Sequence, residues 1–280
     1  MELEQYVEKF WEQGYGVCSI QYDSEAILAD FAERKNITFP MLSDVQSGII
    51  REFGILNTHV PPDHFYYGIP YPGTYVVDRE GIVQAKYFSD SFRDRVTAPT
   101  ILLREFGSEA GTWETRVETD HLELKYYSTQ DVVHPSVRLT LVVEVDLKPK
   151  MHVYAPSVQG YIPIQLELEP SSEYVLHPAE YPTPEMIHLP AIQETVPVYL
   201  GVFRVTQDIT LGRMDVLRPI ISGSRELKIR GRLRYQACDD KICYLPRDIP
   251  LEWSLAVYPP ERERVPEPIR HPSSEVPGRE

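Results

Sequence analysis

Two of the three cysteines in this sequence lie close enough together to share one chemical function. Cys238 and Cys243 are separated by the four residues Asp-Asp-Lys-Ile, and a straight strand would hold their Cα atoms ~16 Å apart. A disulfide requires about 4.4–6.8 Å. The pair can therefore bond only if the insert turns, and aspartate favours a turn because its side chain bonds local backbone amides. We predict a strand that ends at Cys238, a loop, and a return that begins at Cys243.

The spacing leaves four interpretations of this pair open: an exchange-active disulfide, a structural disulfide, two unpaired thiols, and half of a zinc site. A structural role explains little, because closing so short a loop contributes only about 2 kcal/mol. Zinc usually requires two further Cys or His ligands, and the sequence has no second cysteine pair. The alternation in residues 227–237 turns Leu, Ile and Tyr inward, so we expect Cys238 on the polar face, within reach of another protein's disulfide.

Charged residues inside the loop are expected to tune the pair. Asp239 and Asp240 disfavour a thiolate on Cys238 by repulsion, and Lys241 offsets part of that effect. The reduced pair should therefore be a slow nucleophile on its own and react mainly within a docked complex. We predict that Cys238 forms the mixed disulfide with a partner and that Cys243 resolves it.

Residues 113–258 follow a period of two, which is typical of half-buried strands. Apolar residues alternate with polar or charged ones at 137–147, 227–235 and 249–257. Several such strands, joined by proline-rich turns with hardly a helix among them, predict an all-β antiparallel sandwich. Residues 259–280 are charged and rich in proline, so we predict a disordered tail.

Residues 1–110 alternate helix and strand patterns instead, which predicts an α/β domain with a mostly parallel sheet. An amphipathic helix comes first, and a strand at 17–22 follows it. Ser24 is placed to cap the next helix. Cys18, inside the first strand, is interpreted as a small buried apolar residue.

The segment Arg234–Pro246, which contains both paired cysteines, resembles the N-terminal periplasmic domain of the thiol:disulfide interchange protein DsbD. Met151–Tyr154 and Ile162–Ile164 resemble an early strand pair of the same family, and the likeness extends over about residues 115–258. The resemblance implies an immunoglobulin-like sandwich that relays electrons from a membrane partner to periplasmic thiol proteins. It implies no cofactor beyond the disulfide.

Within this resemblance Cys238 and Cys243 are the catalytic residues, and Tyr154 and Tyr244 tune them or face the partner. Two features differ from the best-known member. The spacing of the cysteines is one residue shorter, and the loop that caps the disulfide has no clear aromatic match. Gln193–Tyr199 lies in the corresponding region, but its residues differ from those of the family's cap loop. We expect the redox pair to be kept and its shielding to differ.

The N-terminal residues resemble the peroxiredoxin/redoxin branch (AhpC/TSA-like) of the thioredoxin fold, in Val17–Asp23, Phe39–Asp44 and Tyr71–Asp78. The resemblance places Pro72 where the family often has a cis-proline beside its active site. The family's reactive cysteine follows a first strand, whereas this sequence opens on the helix that comes after it. We therefore expect a truncated domain without that strand or that cysteine, and no peroxidase activity. Cys18 lies in the strand that corresponds to the family's second strand, so it does not fill the role of the reactive cysteine.

Composition narrows the function classes. The 28 Lys and Arg residues against 42 Asp and Glu give a net charge of −14, which argues against a nucleic-acid partner. No apolar window is long enough for a membrane span, and no export signal is visible, although the DsbD resemblance implies the periplasm. We predict a thiol–disulfide oxidoreductase that exchanges with protein thiols, supplied by a membrane or thioredoxin-like donor and holding no metal. The alternative is a non-catalytic protein-binding sandwich with a structural disulfide.

Overall fold

The computed structural model describes residues 2–64, 66–88, 95–108, 114–189, 193–260 and 266. The chain divides into two compact units, and the division falls between Gly107 and Ser108. The predicted tail at 259–280 lies outside the described residues, apart from 259, 260 and 266. In the described ranges, no helix is both long and apolar enough to cross a membrane.

The N-terminal unit alternates short helices and short strands. Its elements are α1 (Glu2–Gln5), α2 (Val7–Glu12), β1 (Ser19–Gln21), α3 (Glu25–Lys35), β2 (Met41–Ser43), α4 (Gly48–Glu52), β3 (Gly73–Val77), β4 (Val83–Phe88), β5 (Arg95–Val96) and α5 (Ala98–Phe106). Ser24 caps α3 as predicted, because its side chain accepts a hydrogen bond from the Ile27 amide. Phe10, Val76 and Leu102 belong to the small apolar core of this unit.

The mostly parallel sheet predicted for this unit is not found in its described residues. β1 pairs with β2 in parallel, and β3 pairs with β4 as an antiparallel hairpin. The two pairs belong to separate two-stranded sheets. The sequence pattern predicted an alternation of helices and strands, but which strands pair is a long-range property that periodicity does not report.

The second unit consists mainly of strands. Its elements are β6 (Thr115–Glu118), β7 (Leu122–Ser128), β8 (Val132–Val133), β9 (Val137–Leu147), β10 (His152–Tyr154), β11 (Gln165–Leu168), β12 (Tyr174–Glu180), β13 (Glu185–Leu189), β14 (Glu194–Leu200), β15 (Val202–Leu211), α6 (Met214–Ser222), β16 (Glu226–Tyr235), β17 (Ala237–Cys238) and β18 (Arg247–Val257). The long alternating strands β9, β16 and β18 match the prediction. One helix, α6, lies among the strands; it contains Pro219, and its Leu217 is buried in the core.

Three sheets make up this sandwich. One has the order β12-β15-β9-β7-β6, the second β11-β16-β18-β8, and the third β13-β14-β10-β17. Apolar side chains from the first two meet in one core, which includes Leu141, Val143, Ile229, Leu233 and Trp253. The alternation of the sequence therefore has the expected cause, since one side of each long strand faces this core.

The third sheet positions the cysteine pair. β16 pairs with β11 and β18 and ends at Tyr235. Gln236 belongs to neither strand, and β17, which follows it, pairs with β10 in a different sheet. The register of this last pairing sets His152 opposite Cys238 and Val153 opposite Ala237. Cys238 is thus the last residue of β17, which lies at the edge of the third sheet, and β16 does not belong to that sheet.

Candidate functional site

The predicted reversal of the chain follows directly after β17. Cys238 and Cys243 are joined by a disulfide, and their Cα atoms lie 4.0 Å apart. The two residues also form an isolated antiparallel bridge. The amide of Tyr244 donates to the carbonyl oxygen of Ala237 at 2.8 Å, which starts the return segment in register.

Asp239 organises the turn. Its Oδ1 accepts hydrogen bonds from the amides of Lys241 and Ile242, both at 2.8 Å, and its Oδ2 accepts one from the Tyr244 hydroxyl at 3.0 Å. The two backbone bonds are the main reason that the pKa of Asp239 is lowered. The carboxylate in turn raises the pKa of the Tyr244 hydroxyl. Asp240 is exposed, and of the two acidic residues only Asp239 has these turn contacts.

The two sulfurs have unequal access to solvent, in the opposite sense to the prediction. Cys238 is only 1% exposed, whereas Cys243 is exposed. The prediction of an outward-facing Cys238 is therefore wrong. That prediction assumed that the inward–outward alternation of β16 continues through Gln236 to Cys238. The chain passes to another sheet at Gln236, so the alternation of β16 does not fix which way the side chains of β17 point.

An apolar and aromatic cluster covers Cys238. Buried Tyr154 on β10 and Val196 and Val198 on β14 pack with it, and Tyr161 borders the group. The two valines belong to Gln193–Tyr199, the segment that corresponds to the family's cap over the disulfide. That segment lies on strand β14, and it covers the buried sulfur with aliphatic side chains.

Tyr154 approaches the exposed end of the disulfide. Its hydroxyl lies 3.7 Å from Sγ of Cys243, and because a disulfide sulfur carries no hydrogen, the hydroxyl is the donor. The ring stacks on Tyr161, with 4.5 Å between centroids. Burial and, to a smaller extent, the charge of Glu194 raise the pKa of Tyr154, which keeps the hydroxyl protonated. The hydroxyl of Tyr161 donates to Glu194 at 2.6 Å, which raises the pKa of Tyr161 to about 12.

Two buried histidines near the disulfide were missed in the sequence. His152 is 4% exposed, and its Nε2 has no hydrogen-bond partner in the described structure. His121 is 6% exposed, its Nδ1 is likewise without a partner among the described residues, and its ring lies 4.4 Å from that of Tyr244. Burial lowers the pKa of both imidazoles. His152 could have been noticed because it shares the strand face of Tyr154, two residues further on.

The candidate residues of the N-terminal unit are placed differently from expectation. Cys18 is exposed, so its interpretation as a buried apolar residue is wrong. The β1 ladder begins one residue later, at Ser19, and Cys18 lies before it. The peptide bond before Pro72 is trans. No group of three or more His, Cys, Asp or Glu side chains suited to a metal ion occurs in the part of the chain that the structure describes.

Comparisons with known proteins match the two units to two families. Residues 1–86 match the AhpC/TSA family, and residues 125–249 match the family described as thiol:disulfide interchange protein DsbD, N-terminal. No curated protein matches the chain.

The solved structures that are similar to the chain include two N-terminal domains. The N-terminal periplasmic domain of ScsB from Proteus mirabilis is 17% identical with a TM-score of 0.34, over 52% of this chain and 51% of that one. The reduced DsbD N-terminal domain of Neisseria meningitidis is 16% identical with a TM-score of 0.28, over 40% of this chain and 74% of that one. The chain thus spans about half of the ScsB structure that it matches. By family match, this protein resembles the AhpC/TSA family in its N-terminal unit and the N-terminal domain of DsbD in its sandwich.

Proposed function

We propose that the sandwich carries a thiol–disulfide exchange centre in which Cys238 and Cys243 pass electrons to or from protein thiols. The observation that carries this proposal is the unequal burial of one bonded pair, with Cys238 1% exposed and Cys243 exposed. Exchange requires in-line approach of a thiolate to one sulfur, while the other leaves. Because one sulfur of the pair is exposed and the other is buried, an incoming thiolate can reach only the exposed sulfur of Cys243. The match of residues 125–249 to the DsbD N-terminal family supports the same chemistry.

The reaction follows from this asymmetry. A partner thiolate attacks Sγ of Cys243, the Cys238–Cys243 bond breaks, and its electron pair leaves on Cys238. A second partner thiolate then attacks the partner's own sulfur in the mixed disulfide and releases Cys243. The partner's two thiols become a disulfide, this protein's disulfide becomes two thiols, and the protons exchange with solvent. The Tyr154 hydroxyl, 3.7 Å from Sγ of Cys243, polarises that sulfur and stabilises it as a thiolate.

The turn itself argues against a purely structural bridge. The Asp239 amide donates to the Ile242 carbonyl at 2.9 Å, and the Tyr244 amide bonds Ala237, so backbone hydrogen bonds already close the loop. The Asp239 carboxylate adds three more bonds. A disulfide across so few residues contributes only about 2 kcal/mol by restricting the unfolded chain. Its main consequence at this position is chemical.

Apolar side chains beside Cys243 suit a protein partner. Ile242 is 55% exposed and Leu245 is 86% exposed, on either side of the accessible sulfur. Exposed apolar residues next to a reactive group favour a docked protein over a small thiol, because their burial contributes to binding. We propose a thioredoxin-like or membrane-bound thiol protein as this partner.

The finer assignments of fold belong to the same proposal. We propose that residues 113–258 form an immunoglobulin-like domain, which antiparallel ladders around one core support. We propose that residues 1–110 form a thioredoxin-like domain, which the match of residues 1–86 to the AhpC/TSA family supports. The exchange chemistry is assigned to the sandwich alone.

The test compares two single-cysteine variants of the disulfide in a Cys18→Ser background, with glutathione disulfide as the probe. Cys238→Ser keeps Cys243 and should form the glutathione adduct readily, whereas Cys243→Ser keeps the shielded Cys238 and should react at least tenfold more slowly. The Cys18→Ser chain in glutathione buffers should show a reduction potential above about −300 mV. A lower potential, together with no adduct from either variant, would leave the non-catalytic binding sandwich as the function.

A further inference from the structure

We propose that His152 is a positioning residue that donates a hydrogen bond to the sulfur of Cys238 when the disulfide opens. This inference rests on the proposed exchange function and assigns the residue that receives the leaving sulfur. It requires a side chain that faces Cys238, that is buried with it, and that has a free donor in the closed state.

The geometry satisfies the first two requirements. His152 and Cys238 are direct partners in the β10–β17 ladder. Side chains of directly opposed residues leave the sheet on the same face, with Cβ atoms about 4.5–5.5 Å apart. His152 is 4% exposed and Cys238 is 1% exposed. The His152 ring also packs edge-on against Tyr154, 5.6 Å between centroids, and Tyr154 belongs to the cluster that covers Cys238.

The third requirement rests on Nε2 of His152, which has no hydrogen-bond partner among the described residues. In the neutral tautomer that carries its hydrogen on Nε2, this atom is a free donor. A buried polar atom without a partner costs free energy, so its retention beside a cysteine needs a reason. A disulfide sulfur is a poor acceptor, and it does not satisfy this nitrogen. A thiolate at the same place is a strong acceptor.

The leaving step creates that acceptor. When the partner's thiolate bonds Cys243, the electron pair of the broken bond resides on Cys238, inside a cluster lined by Val196 and Val198. An unpaired charge in such surroundings is unfavourable. Burial lowers the pKa of His152, against a smaller opposing effect of Asp239, so the ring is neutral near pH 7 and donates through N–H without losing its proton. The proton that later converts the Cys238 thiolate into a thiol comes from solvent.

Two other polar side chains near Cys238 in the described structure, Asp239 and Tyr154, do not offer this bond. Asp239 is an acceptor whose oxygens already take three hydrogen bonds within the turn. The Tyr154 hydroxyl contacts Cys243 at the other end of the disulfide. His152 is therefore the group that the ladder brings to the leaving sulfur.

The experiment measures the initial rate at which reduced glutathione opens the disulfide of the Cys18→Ser chain, with and without His152. His152→Leu removes the donor to the leaving thiolate and should slow this opening about tenfold. His152→Gln, whose amide retains a donor, should recover most of this loss. The control is His177→Gln, which changes a histidine that bonds Thr210 in another sheet and should leave the rate unchanged.

A second readout uses the unmutated histidine and needs no protein partner. In ¹⁵N NMR spectra of the Cys18→Ser chain, reduction by dithiothreitol should shift the His152 ring nitrogens, and the His177 ring should not respond. Unchanged His152 resonances, or equal rates of disulfide opening in the Cys18→Ser chain with and without His152→Leu, would overturn the inference. Failure of the exchange function would appear separately, as absence of the glutathione adduct on Cys243 while His152 still responds to dithiothreitol.

Discussion

The two units of this chain each contain cysteine in or beside a short strand, yet they give it different surroundings. Cys18 is exposed and lies directly before β1, the strand that pairs with β2. Cys238 is buried beneath Tyr154 and two valines, and it is bonded to a Cys243 that remains accessible. The comparison teaches that the chemistry of a cysteine is set by what holds and covers it. A strand supplies only its position.

The difference extends to how each region is organised. The disulfide loop has its own turn, fixed by Asp239, and β17 anchors it in a ladder with β10 and β14. β1 has pairing only to β2 among the described residues. The region proposed for chemistry is thus the one in which several elements converge on the sulfur atoms, which agrees with the need to preorganise a reactive group.

The largest expected effect on the exchange rate comes from replacing a cysteine in each of the two units and comparing the variants. Cys243→Ser should abolish catalytic exchange of a dithiol substrate, because no disulfide can form. Cys18→Ser should retain the full rate. The measurement is reduction of insulin by dithiothreitol in the presence of each variant. A large loss with Cys18→Ser would mean that the N-terminal cysteine takes part in the reaction, and the contrast drawn here would be wrong.

Removing the residue that shapes the turn should give a smaller effect. Asp239→Ala deletes an acceptor of two backbone amides and one tyrosine hydroxyl. The two thiols should then re-form their disulfide about fivefold less favourably, since the reduced loop no longer holds them together. The glutathione equilibrium measures this. Asp240→Ala is the matched control, because it removes an equal charge next in sequence and should change the equilibrium much less.

The same turn predicts a dependence on pH. The pKa of Asp239 is lowered in the folded chain, so its contribution to the turn is fully present above the ordinary aspartate value of about 3.9. That contribution is lost as the pH falls through the lowered pKa. Protection of the Lys241 and Ile242 amides from hydrogen exchange should accordingly decline in acid, after correction for the intrinsic rates. In Asp239→Asn the decline should be absent, and a decline that persists would assign it to another group.

The smallest expected effect concerns the aromatic pair over the disulfide. The hydrogen bond to Glu194 raises the pKa of Tyr161 to about 12. Glu194→Gln should return this value toward the ordinary 10, and titration of tyrosine absorbance at alkaline pH measures the change. Tyr161→Phe serves as the control that identifies the titrating ring. The exchange rate at neutral pH should change little in either variant, because both tyrosines stay protonated there.

Local features of the site were accessible from the sequence. The four-residue insert between the cysteines required a turn, and an aspartate directly after Cys238 was suited to make it. The alternation in β9, β16 and β18 predicted strands. β16 and β18 bury one side as expected, whereas β9 is buried on both sides from Leu139 to Val143. These predictions held because they depend on neighbours within a few residues, for which side-chain spacing and turn chemistry are sufficient.

The orientation of the cysteines was decided by tertiary structure. Gln236 interrupts the strand, and β17 pairs with β10, more than eighty residues away in sequence, so Cys238 points into the cluster and Cys243 out of it. The same long-range register brings His152 to face Cys238. The sequence by itself determined which residues can bond and where the chain must turn. Pairing between distant strands determined which sulfur is buried, because burial depends on what packs against a residue and no local pattern contains that information.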